Sequence, residues 1–198
     1  GGYWGRPYTY TDTNGDGIIA PGEITTGDSL EYMGPSQPTQ ELAISTQLGL
    51  FKGRVQISSQ LDYRGGALLY NLTEAFRCQA RSNCQSFYDL NSPLADKAAG
   101  VAFSQLGARN TNFGYKEDAD YLKWREVSVT YNAPASWAAA FGGSRLSFTA
   151  SGRNLATWTK YNGIDPEVNG QGENNFAQRD FLSIPSVRSF NLRVNLGF

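Results

Sequence analysis

The sequence predicts an all-β chain: antiparallel up-and-down strands forming the C-terminal part of a large transmembrane β-barrel with long extracellular loops. Three observations predict it. Five segments alternate apolar and polar side chains with a period of two, and the connections between them are alternately short and long. The composition, with 22 Gly, 11 Tyr and 11 Phe against one Met and no His, suits strands joined by glycine-rich turns.

The first segment runs from Glu41 to Phe51, with Leu42, Ile44, Thr46, Leu48 and Leu50 on one face and Glu41, Ser45 and Gln47 on the other. Lys52-Gly53 is a tight connection that marks a hairpin. The second segment sets Val55, Ile57, Ser59, Leu61 and Tyr63 against Gln56, Ser58, Gln60, Asp62 and Arg64. The third, Tyr121 to Asn132, places Val127, Val129 and Tyr131 opposite Glu126, Ser128 and Thr130, with Trp124 out of phase, as a β-bulge or an interface tryptophan would leave it. In the fourth, Arg145 to Trp158, Leu146, Phe148, Ala150 and Gly152 face away from Ser147, Thr149, Ser151 and Arg153. The fifth alternates Phe190, Leu192, Val194, Leu196 and Phe198 with Asn191, Arg193 and Asn195.

In an up-and-down arrangement, alternating loop lengths put every short turn at one end and every long loop at the other, as in outer-membrane barrels. The inward face of a small soluble barrel must be packed with apolar side chains, whereas here one whole face is Ser, Thr, Asn, Gln and charged residues, so the apolar face must look outward. Five strands do not close a barrel, so further strands are expected upstream. The competing expectation is a secreted, calcium-stabilised β-sandwich binding module, in which Leu42, Ile57, Val129, Phe148 and Leu192 would be buried against a second sheet instead of meeting lipid.

Seventeen Lys and Arg against eighteen Asp and Glu give a net charge of -1, no footprint for a nucleic-acid backbone. Without histidine the chain lacks the residue central to Ser-His-Asp, Cys-His and most zinc chemistry, and a non-enzyme is expected. Asp165 and Glu167 are close in sequence, but nothing supplies a second group across a cleft, as glycosidase chemistry needs. No apolar run is long enough for a membrane-spanning helix. The opening Gly1-Gly2-Tyr3-Trp4-Gly5 has neither an initiator Met nor a signal peptide, so the chain is expected to continue upstream.

Residues 12–23 fit the EF-hand loop pattern, in which hard oxygens surround a calcium ion: Asp12, Asn14 and Asp16 through side chains, Ile18 through its carbonyl, Ala20 through a water and Glu23 through its carboxylate. Gly17 permits the sharp turn. Pro21 and Gly22 argue against a flanking helix, so the expectation is an isolated structural calcium loop, with a solvated Asp-Gly turn as the alternative.

Three segments carry a family resemblance: Asp120 to Tyr131 (DYLKWREVSVTY), Gly152 to Val168 (GRNLATWTKYNGIDPEV) and Ile184 to Phe198 (IPSVRSFNLRVNLGF). With the Asp-rich loop and the Gly34-to-Pro38 element in matching order, the whole of residues 1–198 resembles the C-terminal portion of SusC/RagA-type TonB-dependent outer-membrane transporters. The resemblance implies a plugged barrel of the bacterial outer membrane that takes up bulky nutrients such as oligosaccharides or peptides. It also implies partnership with the TonB system through a missing N-terminal region that includes the plug, and with a SusD-like surface lipoprotein. Phe198 is similar to the C-terminal aromatic that such proteins present to the barrel-assembly machinery, by strand addition.

Cys78 and Cys84 lie in the longest connection, where an exported loop favours a disulfide over two free thiols or half a metal site. Trp158, Tyr161, Asn162 and Asp165, with the Asn-rich stretch to Asn175, are candidates for ligand contact at a barrel mouth, since aromatic faces and amides suit carbohydrate or peptide; loop packing is the alternative.

Overall fold

The computed structural model describes residues 1–106, 114–170 and 178–198. In chain order the strands and α-helices are β1 (Gly2–Gly5), β2 (Tyr8–Tyr10), β3 (Ile24–Thr26), β4 (Glu31–Pro35), β5 (Gln40–Leu50), β6 (Val55–Gly65), β7 (Leu68–Asn71), α1 (Leu72–Gln79), α2 (Gln85–Tyr88), α3 (Leu94–Leu106), β8 (Lys116–Asp118), β9 (Tyr121–Asn132), α4 (Ala135–Ala139), β10 (Arg145–Thr159), β11 (Arg179–Asp180) and β12 (Ser189–Gly197), with a 3-10 turn at Pro21–Glu23 before β3. They divide into two compact units.

One unit, Gln40–Gly65, Tyr121–Thr159 and Ser186–Phe198, is a five-stranded antiparallel sheet in the order β12-β10-β9-β6-β5. Its register sorts the side chains by polarity. Ile57, Val129 and Ala150 are cross-strand partners, as are Val55, Tyr131 and Phe148, while Ser128 pairs with Ser58 and Ser151. Because a one-residue slip would invert every side chain, the alternation in each strand fixes the register of its neighbours. The out-of-phase Trp124 is explained by a bulge: the ladder skips Arg125, so Trp124 pairs with Leu61 and the apolar face continues through it. On the other side Asn154 takes a positive φ of 53° where β10 bulges against the same point, a conformation Asn tolerates better than most residues.

The sheet has an end with short connections, the Phe51–Arg54 turn and the α4 segment. At the opposite end Gln40 pairs with Gly65, and Tyr121 with Arg64 and Thr159. Long excursions of the chain start and finish there. The up-and-down order and the strand faces agree with the sequence expectation; the sheet remains open, with β5 and β12 as its edges.

The other unit comprises Gly1–Thr39, Gly66–Asp120 and Lys160–Pro185. It contains the β1–β4 and β2–β3 antiparallel pairs and a small sheet in the order β11-β7-β8. Its core gathers Tyr3, Tyr70 and Ala75 with Leu68, Leu72, Phe103 and Tyr115, and a second cluster holds Leu69, Ala119 and Tyr161. Here the expectation of simple long loops is corrected, because the first excursion folds into three helices. Asn71 caps α1 by accepting from the Glu74 amide at 3.0 Å, and α3 buries a small-residue face of Ala98 and Ala102. Among the described residues no helix is long and apolar enough to cross a membrane.

Candidate functional site

The two faces of the sheet differ in chemistry. On the polar face Ser58 and Ser128 share a hydrogen bond of 2.7 Å and Thr130 and Thr149 one of 2.9 Å. Arg153 meets Glu126 at 2.9 Å and the bulged Arg125 meets Asp62 at 2.8 Å. These cross-strand bonds tie the polar face together. The apolar face is bare: Leu42 is 57% and Leu192 88% exposed, Val129 and Phe148 are exposed too, and Ile57 is half-buried. Among the described residues no second sheet covers this face, as the β-sandwich alternative required. So large a contiguous apolar surface needs an apolar partner. Along β9 the apolar face runs from Leu122 to Tyr131, a rise of roughly 30 Å that a tilt near 40° reduces to roughly 23 Å, close to the apolar band of an outer-membrane barrel.

The acidic loop is built between β2 and β3, where Tyr10 pairs with Ile24 and the Thr11 amide donates to the Glu23 carbonyl at 3.0 Å. Its side chains curl inward onto backbone amides: Asp12 accepts from Gly15 (2.8 Å) and Gly17 (2.9 Å), Asn14 from Asp16 (3.1 Å), and Asp16 from Ile18 (2.7 Å). Gly15 and Gly17 have φ of 71° and 75°, which other residues rarely adopt. Glu23 accepts from the Thr13 hydroxyl (2.6 Å), the Ala20 amide (2.9 Å) and the Thr13 amide (2.8 Å), and these bonds hold its carboxyl down at about 2. Asp12, Asn14, Asp16, the Ile18 carbonyl and Glu23 are thus an all-oxygen donor set of the kind calcium takes. From α3, the Lys97 ammonium donates to the carbonyls of Gly17 at 2.6 Å and Leu90 at 2.7 Å, a brace that the sequence reading missed.

Cys78 and Cys84 are disulfide-bonded and buried, with a Cα separation of 4.9 Å. The Cys78 sulfur lies 3.7 Å from a Glu74 carboxylate oxygen, but with both sulfurs bonded the cluster offers no thiolate to a metal.

The candidate ligand contacts differ in exposure: Trp158 and Asn162 are exposed, whereas Tyr161 and Asp165 are buried. Trp158 pairs with Leu122 on the apolar face of the sheet. Tyr161 is buried and its hydroxyl donates to Asp180 at 3.0 Å; burial, then the nearby Asp180 charge, pushes that hydroxyl well above the ordinary tyrosine range. Asn162 donates its backbone amide to Glu117 at 2.8 Å, and the buried Asp165 accepts from the Glu167 amide at 3.0 Å, so these two neighbouring carboxyls do not face one another across a cleft. Asn174 and Asn175 lie outside the described residues. Tyr161 and Asp180, with Thr73 at 3.3 Å from the same carboxylate, form an internal polar network whose long-range pairing no local pattern announces.

No family model matches the chain. Two proteins of Formosa agariphila do: TonB-dependent receptor P3 is 28% identical over 187 residues, 89% of this chain and 18% of the relative, and TonB-dependent receptor P26 is 26% identical over 199 residues, 96% of this chain and 19% of the relative. The chain therefore spans less than a fifth of the curated relatives it matches. Among solved structures, the RagAB peptide transporter is similar over 100% of this chain and 23% of its own, with a TM-score of 0.61 at 17% identity. The "closed-closed" state of the RagAB peptide importer gives 0.56 at 16% identity, again over 100% of this chain and 23% of its own. At these identities the solved structures establish the fold. The resemblance to SusC/RagA-type TonB-dependent receptors read from the sequence stands.

Proposed function

We propose that this segment of a SusC/RagA-type TonB-dependent receptor is barrel wall and outer loops of a transporter that takes up bulky nutrients across the bacterial outer membrane. The carrying observation is the exposed apolar face of the five-stranded sheet, set back to back with a hydrogen-bonded polar face. A lipid-facing band and a hydrated lumen wall require that pairing, whereas a soluble module does not. The TonB system would act through the region upstream of this chain, and a SusD-like lipoprotein would sit on the outer side. The edge strand β12 is the element through which the barrel-assembly machinery would engage the chain, with Phe198 beside it.

The loop at 12–23 would hold calcium through Asp12, Asn14, Asp16, Ile18 and Glu23, pinning the outer segment in shape. The ion supplies charge neutralisation for the clustered carboxylates and no chemistry.

Single cysteines placed in the full-length receptor test the topology. Asp28→Cys and Tyr88→Cys are expected to react with an impermeant maleimide on intact cells, and Lys52→Cys and Gly142→Cys only after the envelope is opened. Equal labelling of all four, or recovery of the receptor from the soluble fraction, would overturn the membrane reading.

A further inference from the structure

Between the acidic loop and helices α2 and α3, wholly within one unit, lies a cavity of about 350 Å³. Its apolar wall is Ile18 and Ile19 from the loop, Phe87 and Leu90 from the disulfide-closed segment, and Val101 from α3. Phe87 and Leu90 are exposed at its rim. Both sides are braced, since Cys78–Cys84 closes the α1–α2 connection and Lys97 ties the carbonyls of Gly17 and Leu90 together. Such preorganisation lowers the ordering cost of binding, and the volume lies within the range of small-molecule sites.

The polar lining narrows the ligand class. The Gln79 amide donates to the Gly100 carbonyl at 2.7 Å, the Ser104 hydroxyl to the Val101 carbonyl at 2.8 Å, and the Ser86 hydroxyl lies 3.1 Å from the Cys84 sulfur. The Lys97 ammonium is already shared between two carbonyls. A sugar, with a hydroxyl on nearly every carbon, finds few uncommitted partners in such a lining. Asp89 is the exception. It accepts from Gln85 at 3.0 Å and Asn91 at 2.9 Å, and each carboxylate oxygen retains acceptor capacity. Those donors, Gln85 foremost, with the nearby Lys97 charge a smaller contributor, hold its carboxyl below the ordinary aspartate value.

We propose that this cavity binds the N-terminal residue of a peptide, its apolar side chain against Ile18, Ile19, Phe87, Leu90 and Val101 and its free ammonium against Asp89. This deepens the nutrient-uptake reading, on which it rests for the outward position of the cavity, by favouring a peptide over an oligosaccharide as the ligand held here.

The test is calorimetric titration of the purified full-length receptor in detergent with Phe-Gly-Gly, N-acetyl-Phe-Gly-Gly and maltotriose. Phe-Gly-Gly is expected to bind. N-acetylation, Asp89→Asn and Leu90→Ser should each weaken binding by about tenfold, the scale of one lost charge-assisted bond or apolar contact, with maltotriose inert and Asp28→Asn without effect. Equal affinity for the acetylated peptide, indifference to Asp89→Asn and Leu90→Ser, or no binding would overturn the proposal. Heat-modifiable gel mobility of the same sample separates the two failures. A folded barrel that binds no peptide removes the cavity assignment alone; a chain that never forms a barrel removes the transport reading.

Discussion

Val127 offers the sharpest test of which face of the sheet meets lipid. It lies near the middle of β9, half-buried on the apolar face and paired with the small residues Ser59 on β6 and Gly152 on β10. With bilayer on that side, Val127→Arg places a guanidinium near the midplane at a cost of about 2–4 kcal/mol, roughly a 30- to 1,000-fold fall in the folding constant. Ser128→Arg, one residue on, points to the polar face. It loses the 2.7 Å bond to Ser58, worth about 1 kcal/mol, and stays hydrated. The assay is urea-induced unfolding of the full-length receptor in lipid vesicles, followed by heat-modifiable mobility, with the two variants compared at equal lipid. Val127→Arg should shift the midpoint strongly and Ser128→Arg slightly. The reverse order, or a neutral Val127→Arg, would refute the lipid-facing assignment.

Glu23→Gln should lower calcium affinity of the full-length receptor on the order of a hundredfold, because it removes the bidentate carboxylate; wild type without measurable calcium binding would leave the loop a solvated turn. The same carboxyl, held near 2 against an ordinary 4.5, should keep its bonds to Thr13 and Ala20 intact above pH 4.5 and lose them progressively as pH falls toward 2, read from the Thr13 amide by hydrogen exchange. Cys78→Ser with Cys84→Ser should destabilise the α1–α2 segment by about 2 kcal/mol, the entropy of a short closed loop, and open it to proteolysis near Arg81; unchanged protease resistance would contradict this. Burial lowers the Lys116 ammonium from 10.5 to about 8, so its burial cost is full below pH 8 and is relieved as pH rises toward 10.5. Lys116→Met should therefore stabilise by about 1–2 kcal/mol at pH 7, after discounting for solvent screening, and by less at pH 10 in urea titrations; a destabilised variant at pH 7 would mean that the contacts of Lys116 with the Tyr3 and Tyr70 rings outweigh its burial.

The helices of the long excursion were open to local reading, since Asn71 before Leu72-Thr73-Glu74 is an N-cap pattern and Pro93 precedes an alanine-rich run. The surrounding glycine and polar residues favour a loop locally, and the burial of Ala98 and Ala102 is what the pattern alone does not supply. The candidate ligand residues are ambiguous in the sequence for a different reason. Aromatic and amide side chains serve a buried network as readily as a binding surface, and only the partner distinguishes the two: Tyr161 meets Asp180, nineteen positions away, inside a core. The Lys97 brace onto Gly17 spans eighty positions, beyond the reach of any sequence window.

By itself the sequence determined the strands, their two faces and the end at which the long connections leave, because period-two alternation and turn length are local properties that register then propagates across the sheet. It also determined the oxygen-rich loop, whose spacing is its geometry. Only the tertiary structure decided the bulge at Arg125 that returns Trp124 to the apolar face, the burial of Tyr161 and Asp165, and the braced cavity beside Asp89. Each of these depends on groups brought together from distant parts of the chain, where packing and hydrogen-bond satisfaction, not local propensity, select the arrangement.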